Sequence, residues 1–107
     1  MKKCQLDLNV QLKELDGTSL DGERNHLGRI VAVRLGGFTA EQAKQNNVGV
    51  VKLYDWTRAL YNRQPIELDR EDLERFTEVV QLIQLPIVVV AQVLEFTKKA
   101  EAAIAAE

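Results

Sequence analysis

Few residues could do chemistry, and most stand alone. His26 and Cys4 are the single histidine and the single cysteine of a 107-residue chain. An imidazole works as a general base only beside a group that orients it and a proton within reach. No spacing in the sequence places a second catalytic group next to His26, so it reads as a residue at the start of a helix. One Cys and one His cannot complete a Cys/His zinc site, and a lone Cys forms no internal disulfide. Glu71, Asp72 and Glu74 cluster as carboxylates in a cation site do, but they lack the alternating spacing and central Gly of a calcium loop. Their place after Asp69 suits the first turns of a helix, where the dipole favours negative charge. The chain carries no Gly-rich phosphate loop and no nucleophile–base pair. These residues predict no enzyme, no cofactor and no metal.

Aromatic and basic residues form the other candidate group. The only Trp and both Tyr residues fall in Leu53–Leu68, LYDWTRALYNRQPIEL. Interleaved with Arg58 and Arg63, they could stack bases. Their helical spacing beside leucines favours core packing instead. The net charge of −2 hides a division of sign. Residues 24–63 hold seven Lys or Arg against Glu41 and Asp55, a net of +5; residues 64–107 hold nine acids against four bases, a net of −5. A nucleic-acid face would use Arg24, Arg29, Lys52, Arg58 and Arg63. The plainer reading is two halves that attract each other.

The elements that would position these residues follow from periodicity. Leu6, Leu8, Val10 and Leu12 alternate with polar residues, which predicts a strand with one buried face. Asp16-Gly17 supplies a turn, so residues 4–20 read as a β-hairpin. Leu27, Ile30, Val31 and Leu35 predict a helix over about 26–35, with the β-branched run Ile30–Val33 leaving a strand as the alternative. Thr39 and Gln42 form a capping-box pattern for a short helical turn. A helix over about 48–62 would bury Val50, Leu53, Tyr54, Thr57, Leu60 and Tyr61, with Trp56 on its flank. Pro65 ends it, and Ile66-Glu67-Leu68 can add a third short strand. Asp69 caps a helix over about 70–83 with Leu73, Phe76, Val80 and Ile83 inward. Pro86 opens a last helix over about 86–102, apolar nearly all round its first turns.

The fold expectation is therefore α+β: an N-terminal hairpin packed on a bundle of about four helices, in a single domain 1–107. The core should hold Leu8, Val10, Leu53, Trp56, Leu60, Phe76, Val80, Val90 and Leu94. Hydrophobic content of 46% and charged content of 28% fit a globular chain. The longest apolar run, Leu85–Ala91 with Pro86 inside it, falls far short of the ~20 residues of a membrane helix. Asp7 and the alternation after it exclude a signal-peptide core behind Lys2-Lys3, so the expectation is a cytoplasmic protein.

The order of a DG-turn hairpin, LGRIVAVRL, LYDWTRALYNRQPIELDREDLERFTEVVQ and LPIVVVAQVLEF resembles small proteins encoded in phage and prophage structural-gene regions of bacteria. The closest matches are Leu60-Tyr61, Ile66-Glu67-Leu68-Asp69 and Leu85-Pro86. Arg34 and Gly49 depart from that pattern. The resemblance brings no catalytic residue. It implies a phage-related accessory or assembly protein in the bacterial host cell, working by protein contacts; the alternative is a small nucleic-acid-binding regulator using the basic residues. In the last helix, Ile87, Val90, Val93, Leu94 and Thr97 should face the core. Val89 and Phe96 would then form a second stripe, the expected interface for self-association or for another phage-type protein.

Overall fold

The computed structural model describes residues 3–106. The fold is α+β, with an antiparallel sheet and a helical bundle. Strand β1 (Lys3–Leu6) pairs with β2 (Ile66–Asp69), with Cys4 opposite Leu68 and Leu6 opposite Ile66. Those four side chains share the buried face, as period two requires. Ile66–Leu68 is thus the ladder partner of the N-terminal strand rather than an accessory to it.

The alternating run leaves the strand after Leu6. The Asp7 carboxylate accepts the Asn9 N–H (2.9 Å), and the Val10 N–H reaches back to the Leu8 carbonyl (2.8 Å). This local turn breaks the alternation. Leu8 and Leu12 stay buried, while Val10, expected in the core, is partly exposed. Beyond it a short ribbon forms about Asp16-Gly17, with Glu14 N–H donating to Thr18 O and Leu20 N–H to Leu12 O. The Gly17 N–H closes on Glu14 O, and Gly17 sits at φ 89°. A turn over Glu14–Gly17 ending in left-handed Gly is the three-residue hairpin loop. It places Leu15 at the tip.

Helix α1 (Leu27–Leu35) follows the 3-10 turn Glu23–Asn25. Its first free N–H groups are all satisfied: Leu27 donates to Val10 O, Gly28 to Leu8 O, and Arg29 to the His26 ring nitrogen Nδ1 (3.2 Å). The kinked segment 8–10 and His26 together cap this helix. Helix α2 (Ala40–Gln45) starts at the Thr39–Gln42 capping box, both halves of which are formed. Helix α3 (Val50–Tyr61) lies along α1. Gly28 lets α1 approach α3 closely: a Cβ there would stand 3.1 Å from the Leu60 carbonyl oxygen, and 3.2 Å from that of Leu8 in the N-terminal segment.

The buried side of α3 is Leu53, Trp56 and Leu60. Trp56 meets Phe76 of α4 (Arg70–Leu82) edge-on, with ring centroids 5.7 Å apart at 75°. Tyr54, Tyr61 and Val50, expected inward, are exposed. The helix is rotated from the expected face because Trp56, its largest apolar side chain, takes the centre against Phe76. Asp69 caps α4 by accepting the Asp72 N–H (2.8 Å).

Helix α5 (Ile87–Ala106) packs on β1 and α4. Its inner row is Val89, Val93, Thr97, Ala100 and Ile104. Val93 and Thr97 of the expected row lie in it, but Ile87, Val90 and Leu94 are centred about 90° away around the helix. Val90 and Leu94, expected in the core, are only half-buried. The expected row would continue through charged Glu101; the observed row continues through Ala100, and that decides the rotation. Among the described residues no helix is long and apolar enough to cross a membrane.

Candidate functional site

The rotation of α5 buries one of the two residues of the expected interface. Val89 is 3% exposed within its own chain and belongs to the core. Phe96 is half-buried against that core, with the Lys99 ammonium 5.6 Å from its ring centroid. Val89 therefore has no surface to offer a partner in this fold.

The basic residues do not form one face either. Arg29 pairs with Glu23 (3.0 Å), donates from Nε to the Tyr61 carbonyl and stacks 4.7 Å over the Tyr61 ring. Arg63 reaches the same Glu23 carboxylate at 3.4 Å. Lys52 points elsewhere, bonded to Asp72 at 2.8 Å, and that carboxylate raises its ammonium pKa above the ordinary value. Arg58 lies 5.6 Å from the Tyr54 ring centroid, and Arg24 is exposed on the 3-10 turn. Only Arg29 and Arg63 are brought together, and an acid lies between them. Part of the acidic cluster is thereby explained: the Asp69 carboxylate caps α4, and the Asp72 carboxylate pairs with Lys52. Among the described residues no three His, Cys, Asp or Glu side chains gather as metal ligands do.

His26 is 2% exposed. Its Nε2 lies 2.9 Å from the Asn9 side-chain oxygen, while Nδ1 accepts the Arg29 N–H. Acceptance at Nδ1 assigns the proton to Nε2, so the ring is neutral with both nitrogens engaged. Burial lowers its pKa, aided by the charges of Arg63 and Arg29 and opposed by Asp7 and Glu23. The ring holds the N-terminal segment to α1 and is not open to a substrate.

An open apolar surface lies where the ribbon meets the start of α5. Leu12, Leu15, Leu20, Ile87 and Val88 line a cleft of about 580 Å³. Leu15 is 98% exposed and Ile87 86%. Gln92 of α5 builds the cleft by gripping the ribbon. Its amide donates to Lys13 O (2.7 Å) and accepts the Lys13 N–H (2.9 Å), as a neighbouring strand would. Gln11 secures the other strand, donating to Leu20 O (2.7 Å) and Gly22 O (2.9 Å). The rim carries Lys13, Glu14 and Asp16. Thr18 hydrogen bonds, from side chain and backbone, lower the Asp16 pKa, so this charge persists into acid.

Leu15 and Gln92 were not marked by the sequence pattern, and Ile87, expected to face the core, stands in solvent. The available signal was the turn chemistry: with Gly17 closing a three-residue loop, Leu15 must stand at a tip where nothing covers it. Comparison of the chain with protein-family models, with curated proteins and with solved structures gave no match.

Proposed function

We propose that this chain is a non-enzymatic accessory or assembly protein of a phage or integrated element, acting in the bacterial cytoplasm by docking another protein of that element. The observation that carries this reading is the apolar cleft between ribbon and α5. Large apolar side chains this exposed, grouped and rimmed by charge, are the usual mark of an interaction site. The resemblance of the sequence layout to small proteins of phage structural-gene regions supplies the kind of partner. The rim's two carboxylates against one ammonium favour an occupant with an apolar side chain flanked by Lys or Arg. The nucleic-acid reading has less support, because Glu23 and Asp72 already engage Arg29, Arg63 and Lys52.

Co-expression with the proteins encoded beside it tests this. A neighbour should co-purify with the wild type and be lost from the Leu15→Asp/Ile87→Asp double variant, whose circular dichroism should match the wild type. Retention of that neighbour by the double variant would reject the cleft. Sub-micromolar, salt-sensitive binding of duplex DNA or single-stranded RNA would move the reading to the regulator.

A further inference from the structure

The outer side of α3 belongs neither to the core nor to the cleft. Val51, Tyr54, Arg58 and Tyr61 follow one another there at steps of three and four residues, within about 100° of arc. That spacing is the seam of a helix that packs on another helix. Val51 is 71% exposed and Tyr54 59%. Tyr and Arg are also the side chains that dominate binding hot spots. Arg58 is already held against the Tyr54 ring, so ordering it in a complex costs less.

We propose that a second copy of this chain docks on this face, α3 against α3, antiparallel about a two-fold axis level with the midpoint of Tyr54 and Arg58. A closed two-fold contact must be self-complementary, and the spacing meets that condition. With the axis there, Tyr54 falls opposite Arg58 of the second copy, and Val51 opposite its Tyr61. Each guanidinium gains a second aromatic ring. Asp55, on the flank of the stripe, comes within about 1.5 Å of the level of Arg58 of the second copy, which allows an ion pair. Parallel pairing would set like charges against each other at both positions, so the charge pattern selects the antiparallel arrangement. A single nucleic-acid strand could also use the tyrosines and arginines. The Asp55 carboxylate beside Arg58 and the aliphatic Val51 favour protein. The site is separate from the ribbon cleft and stands whether or not that cleft binds anything. One helix face falls short of the ~800 Å² per partner of a standard interface, so the dimer is weak, with a Kd on the order of 100 µM.

Sedimentation equilibrium from about 10 µM to about 1 mM tests this, spanning the Kd on both sides. The wild-type mass should rise from monomer toward dimer. Val51→Glu and Arg58→Asp, both at exposed positions, should weaken association about tenfold or more at unchanged helicity and melting temperature. The Asp55→Arg/Arg58→Asp double variant should recover association relative to Arg58→Asp alone, because the reversed charges again face each other. A wild type that stays monomeric to about 1 mM overturns the proposal, as does association untouched by Val51→Glu and Arg58→Asp. Single-stranded RNA binding lost in Arg58→Asp, by a protein that stays monomeric, would assign the face to nucleic acid instead. Leu15→Asp/Ile87→Asp should leave the dimer intact, so failure of the cleft reading and failure of this one are seen separately.

Discussion

The inner side of α3 buries Leu53, Trp56 and Leu60 beneath α1 and against Phe76, whereas the outer side leaves Val51, Tyr54 and Tyr61 in solvent. Both sides are rich in apolar and aromatic residues. They differ in what the rest of the chain brings to them. The inner side meets a ring edge and a helix drawn close by Gly28; on the outer side the Arg58 guanidinium lies near Tyr54 and that of Arg29 over Tyr61, and no helix covers Val51. Composition alone therefore did not decide burial here. The availability of a partner surface did.

The widest gap should open between two aromatic truncations on this one helix. Trp56→Ala removes a buried ring and its edge contact with Phe76, at a cost of about 3–5 kcal/mol. Tyr54→Ala, on the outer side, should stay within ~0.5 kcal/mol. Urea unfolding of both at a concentration where the protein is monomeric measures the difference. Equal losses would mean that Tyr54 supports the fold and that the outer side is not spare surface.

A smaller effect tests how tightly the inner side is closed. Gly28→Ala adds a single methyl, but its carbon would stand against two backbone carbonyls and the His26 ring carbon Cε1. Backbone cannot swing aside as a flexible side chain does. The expected cost is about 1–3 kcal/mol, seen as a lower urea midpoint. Gly37→Ala, where the added carbon meets only the Arg34 carbonyl at 3.4 Å, should cost less. A neutral Gly28→Ala would show that α1 can lift from α3 without penalty.

The smallest effect depends on pH. Burial keeps His26 neutral in the fold, with its pKa below the ordinary 6.5. Above pH 6.5 the ring is neutral in both folded and unfolded chains, and its contribution is fully present. As pH falls below 6.5 the unfolded chain takes up the proton first, so stability declines until the folded state also titrates. Protonated Nδ1 can no longer accept the Arg29 N–H, and the cap of α1 is lost. The urea midpoint should therefore fall between pH 7.5 and 5.5 in the wild type and fall less in His26→Asn, which keeps a capping oxygen. Identical pH profiles for the two would remove His26 from this role.

Much of the fold was legible because its signals were local. The Thr39–Gln42 box and Asp69 sit at helix starts, and the α+β class followed from a period-two stretch ahead of period-3.6 stretches. Rotation about the helix axis was harder to read. In α3 and α5 the apolar residues cover more than one arc, so several faces satisfied the same spacing. The remaining cue lay further along each helix, in Trp56 for α3 and in Ala100 against Glu101 for α5. Val10 was misread because the turn formers Asp7 and Asn9 sit inside an alternating run and bend it. The cleft was invisible for another reason: Gln92 and Lys13 meet from distant parts of the chain, and no spacing rule connects them.

The pairing of Leu6 with Ile66 bears on the order in which the molecule assembles. The contacts of α1 with α3 join segments close in sequence and can form while the chain is still short. β1 must wait for a strand about sixty residues away, and closing so long a loop is an entropic cost met before the ladder returns anything. Until then the buried face of β1 has no sheet to join. The rate-limiting step of folding should be the arrival of this strand. Substitutions at Leu6 or Leu68 should then slow folding, and those at Val31 or Leu53 should chiefly shift equilibria reached earlier.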